Sequence, residues 1–284
     1  MIAPGELDSA DAYCQRLARR HYENFVVISR FTPARLRTHL ARVYAFCRFT
    51  DDLGDEGGSQ VLERLDLWLA QTRDLFHSSR APLHPVLLSL SQTVSQFGLS
   101  EQPFVDLIRA NRQDQLVTAY ATWEHLQEYC LLSAAPVGRI VLHLFGMGSE
   151  LEGRLSDSVC IGLQLANFAQ DVSVDSARGR SYLIGDELRV LGTTGAVRSL
   201  CRRAQTLLSA GRDLEARAPK RLRLQLALYR LGGMAIVSAI ERLDFRTDLV
   251  RPTVPLWTKA KLVPAALLGA GGPGQLSVPG GAAS

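Results

Sequence analysis

Three oxygen-bearing side chains recur every four residues in the middle of the chain: Asn167, Asp171 and Asp175. On an α-helix this spacing puts them on one face, a turn apart. Their apolar neighbours predict a helix inside the protein, where such a row is costly to bury unless it holds a hard cation. Mg²⁺ suits these ligands, because it takes carboxylate oxygens together with phosphate oxygens of a substrate. From this stretch alone, an exposed polar stripe or a helix N-cap stays open as an alternative.

A second acidic motif lies near the first quarter of the chain, where Asp51-Asp-Leu-Gly-Asp55-Glu follows an apolar-periodic run. Asp51 and Asp55 are again one turn apart, and Arg48 lies one turn before them. Two such motifs on two helices, each beside arginine, predict carboxylates that face each other across a cavity. Mg²⁺ ions and a diphosphate would lie between them. That arrangement is what the ionisation of an allylic diphosphate requires.

The chain resembles the squalene/phytoene synthase family over most of its length, from about His21 to Leu262. The motifs that carry the resemblance are His21-Tyr-Glu-Asn-Phe25, Tyr44-Ala-Phe-Cys-Arg48 with the first acidic motif, Arg112-Gln-Asp114-Gln115, Ser133-Ala-Ala-Pro-Val-Gly-Arg139, the stretch from Asn167 to Tyr182, Gly232-Gly233 and Arg251-Pro252. Within the family, the segment Ser133 to Arg139 is similar to the hydroxysqualene synthases of bacterial hopanoid biosynthesis.

The resemblance implies an all-α fold, a single-domain isoprenoid synthase bundle with a central active-site cavity. It also implies a prenyl diphosphate substrate and Mg²⁺ as cofactor. The implied metal ligands are Asp51, Asp55, Asn167, Asp171 and Asp175. The four aspartates among them, together with Tyr182, form the implied catalytic set. Mg²⁺ would lower the barrier to departure of the diphosphate by neutralising its charge.

The implied substrate-binding residues are Phe25, Tyr44, Arg48, Asp52, Gln170, Arg180 and Arg251. The guanidinium groups of Arg48 and Arg180 are well shaped to hold a diphosphate. Tyr182 belongs to an Arg-x-Tyr motif and would hydrogen-bond the leaving group. The rings of Phe25 and Tyr44 would stabilise a carbocation, as aromatic faces stabilise an ammonium. Ordinary core packing is an open alternative for these two rings.

The predicted reaction converts presqualene diphosphate and water to hydroxysqualene. Gly146-Met-Gly148 follows no predicted strand and lacks a third glycine in register, so a dinucleotide fingerprint and reduction by NADPH are not indicated. A helix break predicted at Pro136-Val-Gly138 would open a carbonyl or leave room for water beside the hydrocarbon. A head-to-head transferase condensing two farnesyl or geranylgeranyl diphosphates shares every metal ligand and stays open. A non-enzymatic module or another carboxylate metal bundle is the third hypothesis, and no histidine has the Glu-x-x-His spacing of a di-iron site.

Composition narrows the class of protein. The 284 residues are 46% hydrophobic and 21% charged, which is ordinary globular composition. The net charge of +4 comes from scattered arginines without an aromatic platform, so nucleic-acid binding is not indicated. Five separated cysteines predict neither zinc nor disulfides. We expect no signal peptide, no transmembrane segment and a cytoplasmic protein, with peripheral contact at the inner face of the membrane left open. Presqualene diphosphate synthase and squalene-hopene enzymes would be its pathway partners.

Helical periodicity extends along nearly the whole chain, and no strand is predicted. Residues 1–268 are predicted to form one domain, and the glycine-rich residues 269–284 a disordered tail. One long helix over 123 to 144 should kink at Pro136. The other predicted helices cover residues 7–22, 33–54, 59–77, 86–97, 101–117, 157–178, a short segment from Asp186, 193–210 and 220–243.

Overall fold

The computed structural model describes residues 4–20, 32–55, 58–78 and 82–254, with isolated positions at 262, 264 and 266. Most of this chain is helical, as the periodicity predicts. The helices are α1 (Pro4–Arg20), α2 (Ala34–Asp55), α3 (Val61–His77), α4 (Pro85–Phe97), α5 (Gln102–Gln113), α6 (Trp123–Ser133), α7 (Ala135–Leu144), α8 (Glu150–Gln170), α9 (Val172–Ala177), α10 (Gly185–Ser209), α11 (Gly211–Arg217) and α12 (Lys220–Glu241). Phe25 and the predicted tail after 268 lie outside the described residues.

Two large buried clusters form most of the core of the described residues, and each surrounds one of the helices that carry an acidic motif. The first packs α2 against α3, α4, α5 and α7, with Phe46 between Trp68 and Phe104. The second packs α8 against α6, α10 and α12. Burial of such side chains stabilises the fold by about 25 cal/mol for each Å² of apolar surface removed from water. The two acidic motifs are therefore held by rigid, fully packed helices.

Helix α1 is fixed to the bundle by a buried ion pair rather than by apolar contacts alone. Arg42 donates from Nε and Nη2 to the two carboxylate oxygens of Asp11, at 2.8 and 2.6 Å. Ser89 also donates to Asp11, which joins α1 to α2 and α4. Burial alone would raise the pKa of Asp11, but the hydrogen bonds from Arg42 and Ser89 lower it below its usual value.

The predicted long helix over 123 to 144 is two helices. The regular helix is interrupted at Ala134, a turn residue whose φ of −113° and ψ of −46° remain in the right-handed region, so the break precedes Pro136 instead of falling on it. Pro136 lies in the first turn of α7, where its missing N–H has no intrahelical partner to lose. Two residues after Pro136, Gly138 contacts α8 so closely that a Cβ would lie 2.4 Å from Ser156 Oγ and 2.6 Å from Cys160 Sγ.

The predicted helix over 157 to 178 also differs from the structure. It begins earlier, at Glu150, because Ser149 and Glu152 form a capping box. It ends earlier, at Gln170, because Asp171 adopts φ −100° and ψ 16°, and α9 starts after this bend. Hydrogen bonds from Asp171 N to Asn167 O (2.9 Å) and from Asp175 N to Asp171 O (2.8 Å) preserve the spacing of one turn between the three residues.

The prediction that the chain contains no strand is wrong at one place. β1 (Ala119–Tyr120) and β2 (Ser181–Ile184) form a short parallel sheet. Two residues of β1 are too few to show an alternating sequence pattern, and the pairing joins segments far apart in sequence. The sheet fixes the chain that follows α5 beside the chain that follows α9. Tyr182, which lies outside the predicted helices, is therefore on a strand.

Candidate active site

The first acidic motif occupies the last turns of α2, where Asp51 and Asp55 are exposed. Asn111 of α5 donates from Nδ2 to Asp51 Oδ1 at 3.2 Å. Gly54 lets the two helices approach, because a Cβ there would lie 2.4 Å from Asn111 Oδ1. Neighbouring protein atoms exclude water from part of the carboxylate and so raise the pKa of Asp51 to about 6, although the hydrogen bond from Asn111 and the charge of Arg48 counteract this effect. The contacts within the protein therefore do not fully offset the cost of ionising the Asp51 carboxylate.

The second acidic motif occupies the bend between α8 and α9. Asn167 is exposed, whereas Asp171 and Asp175 are half-buried. Burial and the nearby charge of Asp171 raise the pKa of Asp175 to about 6, against the opposing effect of Arg178 and Arg180. Like the first motif, this one concentrates oxygen donors and negative charge. Both features favour a divalent cation.

Asp114 interacts electrostatically with both acidic motifs. The sequence alone assigned it no role. Its carboxylate accepts hydrogen bonds from Tyr129 Oη at 2.7 Å and from Tyr182 Oη at 3.3 Å. Burial raises the pKa of Asp114, Arg180 opposes this increase, and the charge of Asp55 adds to it. Asp114 also contributes to the raised pKa of Asp175. The carboxylate is thus within electrostatic reach of both acidic motifs.

An aromatic cluster surrounds this carboxylate. Tyr182 stacks on Phe168 of α8, with ring centroids 3.9 Å apart and an interplanar angle of 4°. Tyr120 and Tyr129 complete the cluster at 5.9 and 5.8 Å from the Tyr182 ring. Burial and the charge of Asp114 raise the pKa of Tyr182 to about 12, so its phenol remains protonated and able to donate. These four rings place polarisable faces next to the acidic motifs.

The arginines assigned to diphosphate binding lie beside the motifs, and two of them form ion pairs there. Arg48 pairs with Asp52 one turn later on α2. Arg251 forms a two-pronged contact with Asp171, one prong being Nη2 to Oδ2 at 3.2 Å. Arg180 lies beside Tyr182 and Asp114. Because Arg48 and Arg251 are partly exposed, a diphosphate could replace their carboxylate partners at small cost.

Two other predicted substrate-binding residues have contacts that sequence reasoning did not foresee. Gln170 is buried and donates from Nε2 to the carbonyl oxygen of Pro252 at 2.7 Å. It therefore holds the segment that carries Arg251 instead of facing an open space. Tyr44 is buried with Ala18 and Ala41, and burial raises its pKa. The ring lies one turn before Arg48 on α2, and its core packing is the alternative that the sequence left open.

The described side chains alone do not form a complete metal-binding site. Within those residues, no group of three or more Asp, Glu, His or Cys side chains is close enough to hold one ion. The five predicted ligands nevertheless all offer oxygen, and two of the carboxylates have raised pKa values that a cation would reverse. This donor set fits Mg²⁺, which retains waters and takes substrate phosphate oxygens to complete its coordination.

A cleft of about 450 Å³ lies apart from the acidic motifs, between α5, α7 and the start of α8. Its lining includes Leu99, Pro103, Pro136, Arg139 and Met147. No predicted site residue among those that the structure describes lines it. The central active-site cavity stays a prediction. Across the described part of the chain, no helix has both the length and the apolar character needed to cross a bilayer.

The helical fold and the paired acidic motifs together define an isoprenoid synthase. Comparison with known proteins specifies this class further. The squalene/phytoene synthase family profile matches residues 18–258, and the chain belongs to that family. It is therefore an enzyme of a family that condenses prenyl diphosphates head to head, and the predicted resemblance and all-α fold are both confirmed.

Individual relatives differ in what their names describe. The chain is 42% identical to the squalene synthase HpnC of Alicyclobacillus acidocaldarius, covering 86% of this chain and 97% of that one with a TM-score of 0.80. A dehydrosqualene synthase structure shares the fold at a TM-score of 0.82 and 22% identity, covering 93% and 98% of the two chains. Phytoene synthase of Arthrospira platensis is 28% identical over 94% of this chain and 96% of its own length.

Proposed function

We propose that this enzyme converts presqualene diphosphate and water to hydroxysqualene and diphosphate. The observation that carries the proposal is the 42% identity to squalene synthase HpnC, against 28% to a phytoene synthase and 22% to a dehydrosqualene synthase, which favours the squalene branch of the family. The segment Ser133 to Arg139, which resembles the hydroxysqualene branch, supports the same choice. A head-to-head transferase that makes phytoene or squalene is the second candidate, because full-length relatives are named phytoene synthases.

The residues of the site have separable tasks in this reaction. Asp51, Asp55, Asn167, Asp171 and Asp175 would hold Mg²⁺, which when bound neutralises the charge that develops on the departing diphosphate. Arg48, Arg180 and Arg251 would bind the diphosphate oxygens by charge-assisted hydrogen bonds. The exchange of Arg251 from Asp171 to the diphosphate would free that carboxylate for the metal. Substrate binding and metal binding would then reinforce each other.

The hydrocarbon part of the reaction needs cation stabilisation and water. The faces of Phe168, Tyr129 and Tyr182 are next to the acidic motifs and would attract a developing carbocation. Asp114 would keep the two phenols oriented. The enzyme that supplies presqualene diphosphate must join two farnesyl groups, and a later reductive step must remove the hydroxyl to reach squalene. Because substrate and product both carry a C30 hydrocarbon skeleton, we expect exchange at the inner face of the membrane.

The purified protein should be incubated with presqualene diphosphate, Mg²⁺ and H₂¹⁸O in the absence of NADPH. We expect a C30 alcohol that carries the label, and little C30 product from farnesyl diphosphate alone. Asp51→Ala and Asp171→Ala should each nearly abolish turnover without loss of helical circular dichroism. Glu150→Ala, which removes an exposed ion pair on α8, should leave turnover unchanged. Ready conversion of farnesyl diphosphate to C30 product would refute the proposal in favour of the transferase. Full activity in EDTA would refute the role of the metal.

A further inference from the structure

The hydroxyl of Ser133 is buried at the junction of α6 and α7 without a hydrogen-bond partner in the described structure. Buried hydroxyls in folded proteins almost always have a partner, because losing water without replacement is costly. Among the described helical hydroxyls, that of Thr72 on α3 is also buried without a partner, whereas others bond to the backbone. Thr50 and Ser209 donate back to the carbonyl four residues earlier, at 2.8 and 2.7 Å. Ser133 makes no such bond, so its hydroxyl is left for another group.

A second polar group lies beside it. Pro136 has no N–H, so it cannot donate to the carbonyl of Leu132, as a continuous helix would require. A turn at Ala134 also interrupts the regular helix between these residues. One hydroxyl and one carbonyl without a helical donor are therefore adjacent at the break. A bound water needs two or more such partners, and this pair provides them.

The position of the junction relative to the acidic motifs fits a reacting water. Tyr129, whose phenol reaches Asp114, is one turn before Ser133, so both side chains project from the same face of α6. After the break, Gly138 contacts Cys160 of α8. Cys160 is two turns before Asn167, about 10 Å along the helix. The junction of α6 and α7 therefore packs beside the part of α8 that precedes the second acidic motif.

We infer that Ser133 Oγ and the Leu132 carbonyl position the water that captures the carbocation. The inference rests on the proposed function and assigns the residue that it needs. The bond from carbon to diphosphate oxygen breaks, and the diphosphate keeps the electron pair. A lone pair of the held water forms the new C–O bond, and its surplus proton passes to a further water molecule. No oxidant or reductant is consumed, and the products are a C30 alcohol and diphosphate.

The test compares Ser133→Thr with Ser133→Val, which have the same shape and differ by one hydroxyl. With presqualene diphosphate, Mg²⁺ and H₂¹⁸O, we measure diphosphate release and the ratio of labelled alcohol to C30 olefin. We expect Ser133→Val to lower this ratio about three- to tenfold, the effect of one lost hydrogen bond, while diphosphate release changes less than about twofold. Ser133→Thr should retain the ratio of the unmodified protein. Ser156→Ala, a buried serine on α8 against the same junction, controls for packing and should also retain it.

The outcomes separate this inference from the proposed function. If the unmodified enzyme makes labelled alcohol and Ser133→Val has the same ratio as Ser133→Thr, Ser133 does not position water, and the proposed function stands. If both variants lose diphosphate release and melting temperature together, Ser133 has only a structural role and the inference is wrong. If the unmodified enzyme makes no alcohol from presqualene diphosphate, the proposed function fails and takes the inference with it.

Discussion

The crossing of α8 and α10 permits a sharp test of how the second acidic motif is positioned. A Cβ at Gly162 would lie 2.9 Å from Leu208 Cγ, 3.1 Å from the Leu208 amide nitrogen and 3.2 Å from the Ala204 carbonyl oxygen. The last two atoms belong to the backbone of α10 and cannot rotate away. Gly162→Ala must therefore push the helices apart by a few tenths of an ångström. Gly153→Ala on the same helix meets no atom within 4 Å.

The magnitudes follow from two opposing effects. Alanine is favoured over glycine inside a helix by about 1 kcal/mol, and this gain applies to both variants. Overpacking costs about 1 to 3 kcal/mol and applies only at Gly162. We expect Gly162→Ala to lower the free energy of unfolding by about 1 kcal/mol and Gly153→Ala to raise it by a similar amount. At about 2 °C for each kcal/mol in a protein of this size, the melting temperatures should differ by about 4 °C.

Thermal unfolding followed by circular dichroism measures this difference, and turnover with Mg²⁺ measures its effect on the site. Because α8 also carries Asn167 and ends immediately before Asp171, separation of α8 from α10 should lower kcat in Gly162→Ala and leave it unchanged in Gly153→Ala. Equal melting temperatures for the two variants would show that the crossing tolerates a methyl group. The reasoning that ties the motif to this tight contact would then be wrong.

Three further predictions concern other parts of the molecule. Asp11→Ala leaves a buried guanidinium unpaired and should lower the free energy of unfolding by about 3 kcal/mol in urea titrations, whereas Glu150→Ala, in an exposed pair, should change it by less than about 0.5 kcal/mol. Because the pKa of Asp11 is lowered in the folded state, the stability that its carboxylate contributes is present above about pH 4 and is lost as pH falls through the lowered pKa. The melting temperature of Asp11→Ala should therefore fall less steeply on acidification than that of the unmodified protein. An equally steep fall would contradict this. Asp114→Asn offers only one acceptor oxygen to Tyr129 and Tyr182 and should lower kcat about tenfold or more with little change in melting temperature; unchanged kcat would exclude its orienting role.

The acidic motifs were predictable because their geometry is local. A spacing of four residues gives one helical face, and the structure keeps that spacing even where α8 bends at Asp171. The pairing of Arg48 with Asp52 follows from the same spacing. The helices that carry these residues could also be read from apolar periodicity, since it records which face is buried.

The remaining features depend on tertiary contacts that periodicity does not record. Asp114 gains its role only because Tyr129 and Tyr182 converge on it from two other elements. Gln170 follows the pattern of a site residue, yet its amide is used by the carbonyl of Pro252. The bend at Asp171 has no proline or glycine to signal it. In each case the partner that decides the outcome is distant in sequence.

Those distances have a consequence for the order in which the protein forms. The contacts that assemble the site join residues 60 positions apart at Asp51 and Asn111, 68 apart at Asp114 and Tyr182, and 80 apart at Asp171 and Arg251. Closing such loops costs entropy before any contact repays it, whereas the helices need only local contacts. During synthesis, α2 and α5 can meet early, but Asp171 has no arginine partner until residue 251 has left the ribosome. The catalytic centre is therefore among the last parts of the chain to become ordered.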